Sequence, residues 1–167
     1  MPKRENTCCF SGHRIINNEE IPSLCAALED SIESLILKGV THFVAGGALG
    51  FDTLCAKAVL YLREKHPEIS LTLILPCRDQ AKLWTESARA LYEDIKRQCD
   101  FIIYISDTYT NGCMQKRNRA LVDTSGHIIC YLKNNKSGTA YTVNYAREKG
   151  LNIINLAEEN SQEQIDI

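Results

Sequence analysis

Six strand-length apolar runs, separated for the most part by helical patterns, recur along the chain and limit it to an α/β architecture. Residues 7–10, 42–45, 71–75, 101–105, 128–132 and 152–156 are mostly apolar and lack the alternation of a half-exposed sheet. Such runs fit strands buried on both faces, as in a parallel sheet covered by helices. Between the first two, Ile21, Leu24, Cys25, Leu28, Ile32, Leu35 and Ile36 recur at amphipathic helical spacing. Asn17 or Asn18 is placed to cap that helix, Glu20 to complete a capping box with Asn17, and Gly39 to end it.

Further helices are expected from about residue 51 to 65, around Trp84, Ala88, Leu91, Tyr92 and Ile95, over 114–124 and over 139–149. Pro67 bars the second from continuing, Pro76 closes the third strand and Gly150 stops the last helix. Each parallel connection needs a crossover, so the pattern predicts a Rossmann-like three-layer α/β/α sandwich with a mainly parallel sheet of about six strands. One domain is expected over residues 1–157, with an acidic, frayed tail over 158–167.

Bulk properties narrow the function classes. With 19 basic and 21 acidic side chains, the formal net charge is -2. That balance supplies no overall basic stripe and argues against nucleic acid as a partner. No stretch approaches the roughly 18 apolar residues of a membrane span, and no apolar run of signal-peptide length follows the first residues. The eight cysteines form no C-x-x-C pair and lie near no histidine at zinc-ligand spacing. They read as buried reduced thiols, which implies a cytoplasmic chain and predicts no metal.

Ligands of open α/β sheets bind beyond the carboxyl ends of the strands. After the first run, Ser11 offers a hydroxyl, Gly12 a close backbone approach, and His13 and Arg14 charge, with Arg14 able to grip phosphate bidentately. A polar turn with Gly12 at positive φ is the alternative. After the second run, Gly46, Gly47 and Gly50 precede Asp52 at a helix start, a pattern able to cradle an anion on backbone N–H groups. Its alternative is tight strand-to-helix packing, with Asp52 held by the helix dipole.

The pattern is not a dinucleotide fingerprint, because G-G-x-x-G follows the second strand and no acidic residue ends the next. Nor does a G-K-[ST] sequence follow. Trp84, the only tryptophan, is a candidate base-stacking platform or a packing residue. Arg117 and Asn118 sit at the leading edge of a basic helix, and Gly138 with Thr139 opens another helix N-terminus.

Taken in order, these segments resemble the YpsA-like branch of the SLOG superfamily, named for the DNA-processing protein DprA and the Lonely Guy phosphoribohydrolases. The matching residues are Phe10-Ser11-Gly12-His13-Arg14, Gly46-Gly47-Ala48-Leu49-Gly50-Phe51-Asp52, Pro76 with Gln80 and Trp84, Tyr109, Arg117-Asn118 with Val122-Asp123, and Ser137-Gly138-Thr139. The resemblance implies a Rossmann-like fold and a nucleotide-like ligand such as an ADP-ribose derivative. It implies that Gly46, Gly47, Gly50, Asp52, Arg117, Asn118, Gly138 and Thr139 line the pocket. Ser137 stands where a glycine is usual.

Lonely Guy enzymes carry a P-G-G-x-G-T-x-x-E signature whose glutamate assists N-glycosidic cleavage, and no glutamate stands in register here. Asp52 is the candidate substitute, shorter and differently spaced. The leading expectation is therefore a nucleotide-binding sensor or regulatory module whose occupied state is read by a protein partner. An N-glycoside hydrolase using Asp52 comes second. Single-strand DNA binding through Lys116, Arg117 and Arg119 comes third. The cofactor is left unknown, and self-association is left open.

Overall fold

The structure is a computed structural model and describes residues 2–157; the expected tail over 158–167 lies outside them. Six strands form one parallel sheet: β1 (Thr7–Gly12), β2 (His42–Ala45), β3 (Ser70–Cys77), β4 (Phe101–Ser106), β5 (His127–Tyr131) and β6 (Asn152–Asn155). Five helices connect them: α1 (Ile21–Leu37), α2 (Phe51–Arg63), α3 (Glu86–Gln98), α4 (Cys113–Asp123) and α5 (Gly138–Glu148). The spatial order is β4-β3-β2-β1-β5-β6, with every neighbouring pair parallel.

Alternate strand residues feed two cores. Cys8, Phe10, Phe43, Leu71, Leu73 and Leu75 pack with buried residues of α1, α2 and α3. Cys9, Val44, Ile74, Ile128 and Cys130 pack with Leu121 and Val122 of α4 and Val143 and Ala146 of α5. The three-layer α/β/α sandwich expected from the apolar runs is the fold observed. The cysteines are free thiols, six of them buried, where they serve as small apolar residues. No helix among the described residues is long and apolar enough to cross a membrane.

The chain steps outward from β1 to β4 through α1, α2 and α3. It then returns across the opposite face in α4 and resumes at β5, on the other side of β1. The direction of winding thus reverses at β1, opening a crevice beyond the carboxyl ends of β1 and β5.

Three local expectations are corrected. Pro76 lies inside β3 rather than ending it: pairing with β2 stops at Leu73, while pairing with β4 continues to Cys77. Trp84 precedes α3, which starts at Glu86 with the Thr85 hydroxyl accepting the Ala88 N–H at 3.2 Å. Asn17 caps a short 3-10 turn, Asn18–Glu20, that leads into α1.

Candidate functional site

The end of β1 crosses the start of α2 at close quarters, and two glycines make this crossing possible. A Cβ on Gly12 would lie 2.3 Å from the Phe51 ring, so this glycine answers a steric demand; it does not adopt the positive φ of a simple turn. Gly50 has φ 77 and ψ -119, a region that residues with a Cβ avoid, and a Cβ there would meet the Arg14 carbonyl at 2.2 Å. The Phe51 N–H donates to the His13 carbonyl at 3.1 Å, fixing the crossing.

The glycine loop is therefore partly occupied by its own fold. The Ala48 N–H donates to Asp52 Oδ2 at 3.1 Å, and Gly47, with φ 71, packs against Leu75. Gly46 makes room for a charged pair. A Cβ there would lie 2.8 Å from Arg117 Nη1 and 2.9 Å from Asp52 Oδ2. Arg117 Nη1 donates to the Gly46 carbonyl, and its Nε donates to Asn118 Oδ1 at 2.9 Å.

Both charges are buried, with Arg117 4% and Asp52 7% exposed. Burial raises the Asp52 pKa, against the opposing pull of Arg117, the Ala48 N–H and Arg14. Burial lowers that of Arg117, opposed by Asp52. Each charge offsets part of the other's desolvation, which neither would sustain alone.

Above this pair lies a cavity of about 510 Å³ at the winding reversal. The β1 end contributes Ser11, Gly12, His13 and Arg14; α4 contributes Arg117 and Asn118; α5 contributes Gly138 and Thr139; Asp52 forms part of the wall. The hydroxyls of Ser11 and Thr139 and the guanidinium of Arg14 make no hydrogen bond or ion pair among the described residues. Ser137 caps α5 by accepting the Ala140 N–H at 3.1 Å, which leaves the Gly138 and Thr139 N–H groups at the cavity. Unsatisfied N–H groups and the helix dipole favour an anion at such a terminus.

Gly138 differs from the other glycines of the site. A Cβ there would meet nothing within 4 Å, and its φ is not positive. Neither its neighbours nor its backbone conformation requires a glycine.

The sequence-predicted residues divide between two cavities, except Gly46, which lines neither. Gly47, Gly50 and Trp84 border a second, mostly aliphatic cavity, which shares Arg14 and Asp52 with the first. Trp84 stands edge-on to Tyr92, with ring centroids 5.1 Å apart. His13 borders the first cavity, but its Nε2 accepts the Lys133 N–H at 2.9 Å. Ser137, named with Gly138 and Thr139 in the sequence, lines the first cavity, as do Met114, Gln115 and Tyr141, which the sequence does not single out as ligand contacts. Helical spacing from Arg117–Asn118 was the signal for Met114 and Gln115. Tyr141, whose hydroxyl accepts from Arg119 Nη1 at 2.9 Å, carried none. Among the described residues, no group of three or more metal-ligating side chains comes together.

Comparison with known proteins identifies the family and the fold. Residues 12–157 match the family model YpsA, described as the YspA SLOG family. A UPF0398 protein of Halalkalibacterium halodurans is 31% identical over 136 residues, spanning 80% of this chain and 72% of its own. The SPbeta prophage-derived protein YoqJ of Bacillus subtilis is 32% identical over 130 residues, 70% of this chain and 76% of its own.

Among solved structures, DNA processing protein A of Helicobacter pylori, described for its single-stranded DNA binding mode, superposes with a TM-score of 0.63 at 17% identity over 90% of this chain. DprA of Streptococcus pneumoniae gives 0.63 at 16% identity over 88%. The present chain spans 64% and 48% of those two chains, and at such identity the likeness is one of fold.

Proposed function

Because the chain belongs to the YpsA family of SLOG proteins, we propose that the crevice beyond β1 and β5 binds a phosphate-bearing, nucleotide-derived ligand and that the protein works as a sensor or regulatory module. One observation carries this reading: the unpartnered Arg14 guanidinium, the Ser11 and Thr139 hydroxyls and the open α5 N-terminus converge on one cavity of about 510 Å³. Arg14, Arg117 and the helix terminus supply positive potential for a phosphate. Asp52 supplies an acceptor for a ligand hydroxyl, as a sugar would bring. Gly138 lets the ligand approach the helix backbone.

A second reading follows from Asp52 itself. A carboxylate whose pKa is raised by burial, beside an anion site, suits general acid work on an N-glycosidic bond. Its Oδ2 already accepts the Ala48 N–H, so any such role falls to the other oxygen. A third reading comes from the DprA neighbours, and it removes the ground for setting nucleic acid aside on net charge alone. Lys116 is exposed on α4 beside the cavity, whereas Arg119 is engaged by Tyr141.

Thermal unfolding against ADP-ribose, nucleoside phosphates, NAD and a single-stranded oligonucleotide separates the first reading from the third. A ligand at about 100 times its dissociation constant stabilises the fold by roughly 2.7 kcal/mol. Stabilisation by a nucleotide, weakened in Arg14→Ala, supports the proposal. Stabilisation by the oligonucleotide alone, falling steeply with salt, supports the third reading instead.

A further inference from the structure

The second cavity, of about 300 Å³, meets the first across Arg14 and Asp52 and runs between α2 and α3. Its walls are Ile16, Ile21, Leu54, Ala88, Leu91 and Ile95, with the Trp84–Tyr92 pair on one side. Apart from Arg14, which lies at the junction with the first cavity, and the buried Gln80 Oε1, which has no hydrogen-bond partner among the described residues, the polar groups nearby are engaged with one another. Thr53 Oγ1 donates to the Ala48 carbonyl at 3.1 Å, and Gln80 Nε2 donates to the Gly47 carbonyl at 3.2 Å and to the Tyr92 hydroxyl at 3.3 Å. A group rich in hydrogen-bonding edges would lose most of its water partners here and regain few. Apolar surface would gain from the same burial.

Two exposed aliphatic side chains stand next in sequence to residues that line the cavity. Ile15, between the lining residues Arg14 and Ile16, is 91% exposed, and Leu83, next to Trp84, is 92% exposed. The volume is at the lower bound of small-molecule pockets and suits one ring system.

We infer that the ligand carries, besides its phosphate, an uncharged aromatic group that lodges in this second cavity against Trp84 and Tyr92, so that one molecule spans both cavities past Arg14. The inference rests on the phosphate reading of the first cavity. It makes the second one a specificity pocket for an arene rather than a void in the core.

The test uses phosphate, phenol and phenyl phosphate as probes, calorimetry for affinity, and the emission of Trp84, the sole tryptophan, excited beyond phenol absorption. Phenyl phosphate is expected to bind at least about tenfold more tightly than phosphate and to change Trp84 emission, the scale on which a small apolar pocket discriminates. Ala88→Leu, which fills the second cavity from α3, is expected to cancel that advantage while leaving phosphate affinity unchanged. Equal affinity for phosphate and phenyl phosphate in the native chain overturns the inference, as does an advantage that survives Ala88→Leu. If phosphate itself fails to bind, the phosphate reading falls. Phenol then decides for the second cavity alone: an emission change abolished by Ala88→Leu supports an arene site, and no change overturns it. Unfolding of Ala88→Leu by urea confirms that the variant is folded before either comparison.

Discussion

The backbone N–H of Lys133 donates to Nε2 of His13 at 2.9 Å, tying the loop after β1 to the loop after β5. These loops carry Arg14 and, four residues beyond Lys133, Ser137 with Gly138, so the bond spans the two walls of the anion cavity. It requires a neutral imidazole, since a protonated Nε2 would face another donor.

Burial, and then the Lys133 ammonium, lower the His13 pKa below its ordinary 6.5. The unfolded chain therefore binds a proton more readily than the folded one. The stability this contact contributes is complete above about pH 6.5 and is lost as pH falls through the lower folded value. His42 is shifted the same way by burial. Urea unfolding between pH 8 and 5 should show stability declining on the acid side. In His13→Gln, whose amide oxygen still accepts, part of that decline should disappear. An identical decline in the variant would show that His13 is not its source.

The glycines should separate cleanly by stability. Gly50→Ala imposes φ 77 on a residue with a Cβ and drives that atom to 2.2 Å from the Arg14 carbonyl. A loss of about 2–4 kcal/mol is expected. Gly138→Ala meets nothing within 4 Å and should change stability by less than about 0.5 kcal/mol. Its effect should appear in ligand affinity instead. If both variants lose stability equally, the α5 N-terminus is packed more tightly than described.

Arg117→Met should be costly before any ligand is considered. It removes the donor to the Gly46 carbonyl and the larger of the two cationic influences, Arg117 and Arg14, that offset the burial of the Asp52 carboxyl. Losing one partner of a buried charge pair costs about 3–5 kcal/mol. Arg117→Lys should recover only part, because a single ammonium replaces a planar group that bonds Gly46 and Asn118 together. Full recovery by lysine would mean that charge alone matters at this position.

A binding module should leave its ligand intact. Incubation with nucleotides, ADP-ribose and NAD, followed by chromatography, is expected to release neither base nor sugar. Release that is lost in Asp52→Asn, with binding retained, would instead favour the hydrolase reading.

Much of the fold was legible because the strands are continuous apolar runs and their helices carry amphipathic spacing. The exceptions have local causes. Pro76 breaks a strand only where its missing N–H is needed, and pairing with β2 has already stopped at Leu73. Trp84 matched the apolar period of α3 but lies before the Thr85 cap, since a hydroxyl that takes the Ala88 N–H sets the start more strongly than periodicity does.

The site was legible as loops at one sheet edge, and nine named residues do line the first cavity: Ser11, Gly12, His13, Arg14, Asp52, Arg117, Asn118, Gly138 and Thr139. Tight strand-to-helix packing was one of the two readings of the second loop, but which atoms each glycine clears was not legible. Gly12 clears Phe51, and Gly50 clears the Arg14 backbone; both contacts depend on how β1 crosses α2. The burial of Arg117 was equally hidden, because in sequence it belongs to a basic run that reads as a solvated face.

The most direct test of the central claim is the ¹H–¹⁵N spectrum of the protein titrated with ADP-ribose. Binding in the crevice should give saturable shifts concentrated on the Ser11–Arg14 loop and on the Gly138, Thr139 and Ala140 amides, lost in Arg14→Ala. Absence of saturable shifts, or shifts centred elsewhere on the sheet, would contradict it.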